Sequence, residues 1–225
     1  MNKENAMYLS RLTLTEHPNL HPIVHRLGDA YREHQMLWQL FDPQPDAERD
    51  FLYRRETRKG RPCYFLLSRR PPVNPLGLWR IDPPKPFAPC LQVGQRLAFS
   101  LRVNPVVNHD GKRHDIVMDR KRQMGWKTMS LWERPPLQQV IHETGTDWLQ
   151  RRSERHGFEI DPGLLRVEGY QQHHSRRGRR NIRFSTLDFT GLLRVTEPDL
   201  FMEALTQGIG PAKAFGCGLM LVRRA

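Results

Sequence analysis

The sequence predicts an α+β protein with two halves of similar size, each built from antiparallel hairpins and a few helices. Segments with the apolar pattern of strands outnumber helical segments along the 225-residue chain. The helical segments carry apolar residues at three- and four-residue spacing and lie between the strands rather than in one block. A segment dense in proline separates the halves, and such segments mark domain boundaries.

The first half is predicted as a strand, a helix and then two strands. Tyr8–Leu14 alternates like a short strand, and the region from about Leu27 to Phe41 has apolar residues at helical spacing. Asp42-Pro43-Gln44-Pro45 ends that helix because proline cannot continue it. Two strands follow, at Phe51–Arg55 and Cys63–Ser68, and a polar turn at Thr57–Gly60 joins them.

The second half also mixes strands with helices. A helix is predicted over Pro136–His156, although Gly145 weakens its middle, and Gly157 is placed as its C-terminal cap. Asn108–Arg113 is expected to be a basic turn and Asp119–Pro136 a charged, irregular segment. The other elements are a short helix at Pro198–Gln207 and strands at Arg96–Val103, Leu164–Gln171, Ile182–Thr190, Gly191–Thr196 and Leu219–Arg223.

This order of elements predicts two ferredoxin-like domains in tandem, each with an antiparallel sheet. The boundaries follow from the composition of the chain. Residues 1–75 form the N-terminal domain, residues 76–93 a proline-rich linker, and residues 94–225 the C-terminal domain.

The charge of the chain points to nucleic acid as its partner. Lys and Arg number 36 against 24 Asp and Glu, which gives a formal charge of +12. Such an excess describes partners rather than folds, and Arg, the commoner base here, suits phosphates and guanine edges. An anionic membrane surface is the alternative, but no apolar run approaches the roughly 18 residues of a membrane span.

The cysteines and the N-terminus indicate a cytoplasmic protein. Cys63, Cys90 and Cys217 are odd in number and far apart, which excludes a disulfide framework and a Cys-x-x-Cys zinc site. The N-terminus has no apolar core of a signal peptide, so secretion is not expected.

A glycine-rich segment near the C-terminus is a candidate phosphate-binding loop. Gly208, Gly210, Gly216 and Gly218 surround Lys213, and glycines allow backbone amides to approach a phosphate closely. The spacing fits neither the dinucleotide fingerprint nor the P-loop, which favours a polynucleotide backbone over a nucleotide cofactor. The alternative is a tight turn that leads into the last strand of a sheet.

A basic segment, His173–Arg183, is predicted to form the tip of a hairpin because a strand-like run lies on each side. Such a hairpin can enter a groove of nucleic acid, with arginines on phosphates and base edges. The alternative is a solvated loop. The candidate arginines for binding nucleic acid are Arg176, Arg177, Arg179 and Arg180.

Tyr31 and His34 lie one turn apart on the first predicted helix. Spacing alone favours a buried histidine hydrogen-bonded beside a core tyrosine. In the functional interpretation both side chains face a groove, where the imidazole moves a proton and the phenol orients the reacting group. Alternative histidines are His21, His25, His173 and His174.

The chain is not expected to bind a metal ion or another cofactor. His173 and His174 lack companion ligands, and bases interrupt the series Asp110, Asp115 and Asp119. A phosphodiesterase without metal can cut RNA by attack of the neighbouring 2′-hydroxyl, with Lys or Arg stabilising the transition state. DNA lacks that hydroxyl and is excluded as a substrate.

The chain resembles the CRISPR RNA-processing endoribonucleases of the Cascade type, most closely the CasE family of subtype I-E. The resemblance is carried by the segment from Gln207 to Leu219, by the start at Met7–Leu12, by the Tyr31-x-x-His34 region to Phe41, by Asp46–Leu52 and by Leu101–Pro105. It is weak over residues 119–142, where this chain has a longer insertion with tryptophans.

The resemblance implies two RRM-like domains, and metal-independent cleavage of precursor CRISPR RNA at the 3′ base of each repeat hairpin. It implies a 2′,3′-cyclic phosphate product, and a protein that stays on the RNA as a subunit of Cascade, reaching target DNA only through that complex. By motif, Tyr31 and His34 are the catalytic pair and Lys213 a phosphate contact. Lys112 and Arg113 are further candidates for the stem.

Two other functions remain open at this point. The first is a non-catalytic RNA-binding scaffold of the same fold, in which His34 is a core residue. The second is a basic ribosome-associated protein without preference for a hairpin.

Overall fold

The computed structural model describes residues 6–15, 29–41, 50–177 and 180–225, and the side chains of residues 175–180 fall outside the description. Two antiparallel sheets follow one another along the chain, each with helices packed on it. This is the α+β arrangement that the sequence predicts.

The first sheet has the strand order β2-β3-β1-β4, with β5 also paired to β1. Its strands pair without a shift in register, and Leu12, Tyr64 and Leu66 are fully buried in the core. A two-residue turn at Lys59 and Gly60, both with positive φ, joins β2 to β3. The elements are β1 (Tyr8–Leu14), α1 (Ala30–Trp38), β2 (Phe51–Arg58), β3 (Arg61–Ser68), β4 (Trp79–Ile81) and β5 (Lys85–Pro86).

The proline-rich segment contributes to this sheet. Trp79–Ile81 and Lys85–Pro86 both pair with β1, so the N-terminal sheet extends past residue 75 into the segment predicted as a linker. Proline is compatible with these positions because β4 and β5 are short edge strands. Residues 69–78, described throughout, form a loop where a ferredoxin-like unit has its second helix.

The second sheet has the order β10-β11-β6-β12, with β9 paired to β11. The strands Arg96–Val103, Arg166–Arg177, Arg180–Val195 and Met220–Arg224 and the helices Leu137–Ser153 and Pro198–Gln207 follow the ferredoxin-like order of strand, helix, two strands, helix and strand, which confirms the prediction for this half. A hairpin, a short helix and a three-residue strand are inserted between them. The elements are β6 (Arg96–Val103), β7 (Val106–His109), β8 (Lys112–Asp115), α2 (Ile116–Gln123), α3 (Leu137–Ser153), β9 (Phe158–Ile160), β10 (Arg166–Arg177), β11 (Arg180–Val195), α4 (Pro198–Gln207) and β12 (Met220–Arg224).

Two sequence-based assignments in this half are wrong. The segment predicted as irregular from Asp119 contains most of α2, whose N-cap Asp115 accepts a hydrogen bond from the Met118 amide at 2.8 Å. The strands predicted on either side of Gly191 are one strand, β11. The strand has a glycine at position 191 because the backbone of Leu164 passes close to it. A Cβ there would lie only 3.0 Å from the carbonyl oxygen of Leu164.

Two glycines of the second half have tertiary roles. Gly145 lies within α3, and a Cβ there would lie 2.6 Å from Cγ1 of Val167. The glycine therefore lets the helix approach the sheet instead of breaking the helix. Gly157, with φ of 70°, follows the single 3₁₀ turn Glu154–His156 and ends the helical segment, as the sequence predicts.

Each sheet has its own hydrophobic core, and a third cluster joins the two. Leu52 and Leu67 of the first sheet pack with Leu219, which precedes β12. Met7, Phe65 and Phe87 pack against the same cluster. The two domains are therefore held by buried apolar contacts as well as by the chain between them.

Candidate nucleic-acid interface

Helix α1 presents both candidate catalytic side chains. Asp29 begins the helix by accepting a hydrogen bond from the Arg32 amide at 2.9 Å. Met36 and Leu37 are buried against the first sheet, whereas Tyr31 and His34 are half-buried. The helix is shorter than predicted, and residues 27–28 and the proline-containing segment 42–45 lie outside the described residues.

His34 is held by Trp38, a residue that the sequence analysis did not single out. The indole Nε1 donates a hydrogen bond to Nε2 of His34 at 2.9 Å. The ring centroids of His34 and Phe51 are 5.9 Å apart. The four-residue spacing on a helix was the sequence signal that could have revealed this pair.

Tyr31 lies on the same side of α1 and is linked to its own helix. Its phenol oxygen accepts a hydrogen bond from Nε2 of Gln35 at 3.3 Å. Tyr31 is thus a partly exposed side chain rather than the core tyrosine that spacing alone favours.

The buried face of α1 holds an ion pair that the sequence analysis did not find. Glu33 is only 6% exposed, and its carboxylate lies 2.9 Å from Nη1 of Arg55 on β2. Burial is the main cause that raises the pKa of the Tyr64 phenol well above its ordinary value, and the nearby Glu33 carboxylate raises it further. The pair links α1 to β2, and removal of Arg55 would take this partner from the buried Glu33 carboxylate.

The glycine-rich segment forms the joint between the two domains. The Tyr53 hydroxyl donates to the carbonyl oxygen of Ala214 at 3.2 Å, and a Cβ on Gly216 would lie 3.0 Å from the Tyr53 ring. A Cβ on Gly208 would lie 2.9 Å from Leu52. Both glycines have positive φ, so the loop requires them for conformation and for close approach. The segment is the loop that leads from α4 to the last strand, and it packs on the first domain.

Lys213 begins the 3₁₀ turn Lys213–Phe215, which contacts α1. The turn follows Ala212, which has a left-handed φ of 58°, and Gly216 ends it. The fold therefore brings a cation from the end of the chain to the helix that carries Tyr31 and His34. Gly210 and Gly218 also have positive φ and complete the loop.

A cleft of about 200 Å³ lies between the domains beside α1. Arg102 makes two hydrogen bonds of 2.7 Å with the Asp188 carboxylate and one of 3.2 Å with the Arg55 carbonyl. The bonds with Asp188 raise the pKa of Arg102, which keeps the guanidinium charged. The charged side chains on each wall are thus paired within their own domain, and the hydrogen bond from Arg102 to the Arg55 carbonyl crosses the joint.

His173 lines this cleft rather than the hairpin tip. Its ring stacks on Phe184 with centroids 4.8 Å apart, and Phe184 stacks on Phe215 of the glycine-rich loop at 5.0 Å. Its Nε2 lies 2.8 Å from the Thr186 hydroxyl. Burial is the main cause that lowers the pKa of His173, and the nearby Arg102 and His174 lower it further. His174 is exposed on the neighbouring position, and His21 and His25 lie outside the described residues.

The basic hairpin is a long extension of β10 and β11. β11 pairs with β6 only from Leu187 onward, so residues 180–186 continue beyond the sheet with β10 as their partner. A register shift between Glu168 and Gln171, at Gly169 with φ of 68°, bends the ribbon near its base. The backbones of Arg176, Arg177 and Arg180 are paired in the ribbon. Their side chains, and all of Gly178 and Arg179, lie outside the description.

Lys112 and Arg113 lie on a second, shorter hairpin. Asp110 and Gly111 form its two-residue turn, with φ of 51° and 75°. Both basic side chains are exposed on β8. The basic turn predicted at residues 108–113 is therefore confirmed, and it belongs to the C-terminal domain, whereas Tyr31 and His34 lie on a helix of the N-terminal one.

Two further findings bear on the kind of site. Within residues 6–15, 29–41, 50–177 and 180–225, no group of three or more His, Cys, Asp and Glu side chains is arranged to hold a metal ion. In the same part of the chain, no helix combines the length and apolarity needed to cross a membrane.

Comparison with known proteins gives consistent matches over most of the chain. The family model described as CRISPR associated protein matches residues 7–224. The CRISPR system Cascade subunit CasE of Escherichia coli K12 is 32% identical over 198 residues, 85% of this chain and 90% of that protein. The CRISPR-associated endoribonuclease Cse3 of Thermus thermophilus is 28% identical over 232 aligned residues, 96% of this chain and 99% of that protein.

A solved structure has the same fold. Thermus thermophilus Cse3 bound to an RNA representing a pre-cleavage complex superposes with a TM-score of 0.76 at 27% identity. The match covers 97% of this chain and 99% of that one.

Proposed function

Because this chain belongs to the family of CRISPR-associated proteins, we propose that it is a metal-independent endoribonuclease that binds and cleaves the repeat hairpin of precursor CRISPR RNA. The observation that carries the proposal is the placement of Tyr31, His34 and Lys213. Two of these residues share one side of α1, and the third lies on the turn that contacts this helix. The relatives named as an endoribonuclease and as a Cascade subunit match this chain over most of its length.

The reaction proposed is an internal transesterification at the 3′ base of the stem. The 2′-oxygen bonds to the neighbouring phosphorus, and the bond from phosphorus to the 5′-oxygen breaks. The proton leaves the 2′-hydroxyl, and another proton reaches the departing 5′-oxygen. The products are a 2′,3′-cyclic phosphate and a 5′-hydroxyl, and neither an oxidant nor a cofactor is consumed.

Each residue has a distinct part in this reaction. His34 transfers a proton, since imidazole titrates near neutral pH. Tyr31 positions the 2′-hydroxyl or the phosphate through its phenol. Lys213 stabilises the negative charge that develops on the phosphate oxygens.

The basic surfaces bind the stem. Arg176, Arg177, Arg179 and Arg180 on the long hairpin are proposed to contact the stem's groove, and Lys112 and Arg113 its backbone. The protein then remains on the product as a Cascade subunit in the cytoplasm and meets target DNA only through that complex.

The test compares His34→Ala with Gln39→Ala, an exposed position at the end of the same helix. The His34 variant should bind the hairpin with unchanged Kd and lose cleavage, by about 100-fold or more. The Gln39 variant should cleave normally. Wild type should cleave fully in excess chelator, and should not cleave a hairpin with a single deoxynucleotide 5′ of the scissile bond. Dependence on Mg²⁺ would overturn the mechanism.

The second candidate function is a non-catalytic hairpin-binding scaffold. The hydrogen bond from Trp38 and the half-buried position of His34 favour it, because both are compatible with a structural histidine. In that case His34→Ala lowers the melting temperature, and purified wild type leaves the hairpin intact. Measuring melting and cleavage on the same variant separates the two functions.

A further inference from the structure

A basic trough, lined by residues of β8, α2 and the segment after α2, shares no lining residue with the cleft between the domains and contains neither Tyr31 nor His34. Two adjoining cavities of about 610 and 570 Å³ form it and share His114, Asp119 and Arg122. Lys112 lies in the first cavity, and Lys127 in the second. Each cavity has the volume of a small-ligand site.

Unpaired cations dominate this trough. Lys121, Arg122 and Lys127 line the second cavity, and in the described part of the chain none of them has a carboxylate within salt-bridge distance. The two carboxylates of the same cavity, Asp115 and Asp119, have hydrogen-bond partners other than these three cations. Asp119 lies 2.9 Å from Nε2 of His109 and accepts from Gln123 at 2.8 Å. Asp115 accepts hydrogen bonds from the start of α2 and from Tyr170 and Ser185.

The second cavity also has an apolar wall. The Trp126 ring and the Met118 side chain line it, and Met118 is 47% exposed. The Lys121 ammonium lies 4.7 Å from the centroid of the Trp126 ring. A few residues further on, Trp132 is 97% exposed. Aromatic surface next to cations is the composition of sites that bind unpaired nucleotides, where bases stack and phosphates meet positive charge.

The trough is attached to the basic hairpin. Asp115, the N-cap of α2, accepts hydrogen bonds from Tyr170 on β10, at 3.0 Å, and from Ser185 on β11. Ser185 is five positions from Arg180, or roughly 17 Å along the strand. RNA bound at the far end of the β10–β11 hairpin of the protein therefore passes or ends close to the trough.

We propose that the trough of Lys121, Arg122, Trp126 and Lys127 binds the unpaired nucleotides that flank the RNA hairpin, as a second RNA site apart from Tyr31 and His34. The inference rests on the proposed function, since it takes the hairpin as the primary ligand. Unpaired RNA fits better than the stem because a base must be unstacked to reach an aromatic wall. The unpaired cations favour a polyanion over a protein surface of mixed charge.

The test uses hairpins that contain the deoxynucleotide at the scissile position, so that binding is measured without cleavage. One RNA is the bare hairpin, and two others carry a short oligouridine extension on the 5′ or the 3′ side. One of the extensions should lower the Kd of wild type by about tenfold, the effect of roughly one stacked base. The double variant Lys121→Ala/Lys127→Ala should lose this gain and bind the bare hairpin as wild type does.

Arg120→Ala is the matched control, because Arg120 is exposed on α2 but does not line the trough. It should keep the gain from the extension. Trp126→Leu should reduce the gain, with its melting temperature measured alongside. A thiouridine in the extension should crosslink to the peptide that contains Trp126.

Three results would overturn the inference. In the first, neither extension lowers the Kd of wild type. In the second, the double substitution raises the Kd of the bare hairpin as much as that of the extended one. In the third, the double variant binds extended RNA normally but no longer assembles with purified Cascade subunits, which assigns the trough to a protein contact. If wild type fails to bind even the bare hairpin, the proposed function falls and this inference with it.

Discussion

The indole N–H of Trp38 donates to Nε2 of His34 across 2.9 Å, one helical turn apart on α1. An indole nitrogen only donates, so this geometry requires an unprotonated Nε2, and the neutral imidazole then carries its proton on Nδ1. Trp38 therefore fixes both the tautomer and the orientation of the side chain to which the proposed reaction assigns proton transfer.

Replacing Trp38 by Phe should slow cleavage while leaving hairpin binding unchanged. The phenyl ring can retain part of the packing on Phe51, whose ring centroid lies 5.4 Å from that of Trp38, but it cannot donate a hydrogen bond to His34. A loss of orientation of this kind costs roughly 10- to 100-fold in rate. Single-turnover cleavage and the Kd of an uncleavable hairpin measure the two effects separately.

A double variant shows whether Trp38 acts through His34. Trp38→Phe/His34→Ala should be no slower than His34→Ala alone, because the residue that Trp38 orients is already absent. Additive losses would show that Trp38 acts independently of His34.

Asp188→Ala should destabilise the C-terminal domain, in which Arg102 and Asp188 form an ion pair beside the joint. The substitution leaves Arg102 without its carboxylate at a position where its side chain is only 30% exposed. We expect the free energy of unfolding to fall by about 2 kcal/mol, less than for a fully buried pair. Denaturant unfolding measures this loss. Arg194→Ala is the control, since its bridge to Glu159 is more than half exposed and should contribute less than about 1 kcal/mol.

Stability should fall on acidification because of His173 and His156. Burial is the main cause that lowers the pKa of each in the folded protein below the ordinary 6.5. As the pH drops below about 6.5, the unfolded chain takes up these protons first, so the free energy of unfolding decreases, by at most about 1.4 kcal/mol per pH unit for each histidine.

Denaturant unfolding between pH 7.5 and 5.5 measures this effect. His173→Gln should show a shallower decline than wild type, because one of the two groups no longer titrates. His156→Gln should also show a shallower decline, because it removes the other histidine whose pKa is lowered by burial. An unchanged slope in the His173 variant would contradict the assignment.

Gly216→Ala should weaken both stability and cleavage. Its positive φ of 77° disfavours any Cβ, and this Cβ would also press on the Tyr53 ring at 3.0 Å. Gly77→Ala is the matched control, because φ is 64° there and no heavy atom lies within 4 Å of the added carbon. The control should cost about 1 kcal/mol from backbone strain alone. Gly216→Ala should cost more and should also reduce the cleavage rate, whereas equal losses would show that the joint tolerates the change.

Local patterns in the sequence predicted most of the elements correctly. The alternation of Tyr8–Leu14, the turn residues Asp110 and Gly111, and the cap at Gly157 all act over a few neighbouring residues. The assignments that failed depend on distant contacts. Gly191 continues a strand because the backbone at Leu164 passes close by. α2 begins at Asp115, whose carboxylate is also bound by Tyr170 and Ser185.

The same division holds for the site. The sequence alone determined three features: the basic charge, the placement of Tyr31 and His34 on one helix, and the glycine-rich loop before the last strand. All three depend on composition and short spacing. Only the tertiary structure decided that the loop packs on Tyr53, that Arg102 pairs with Asp188, and that His173 faces the cleft between the domains. Those contacts join residues up to 161 positions apart, and no local pattern specifies which surfaces two independently formed sheets bury against each other.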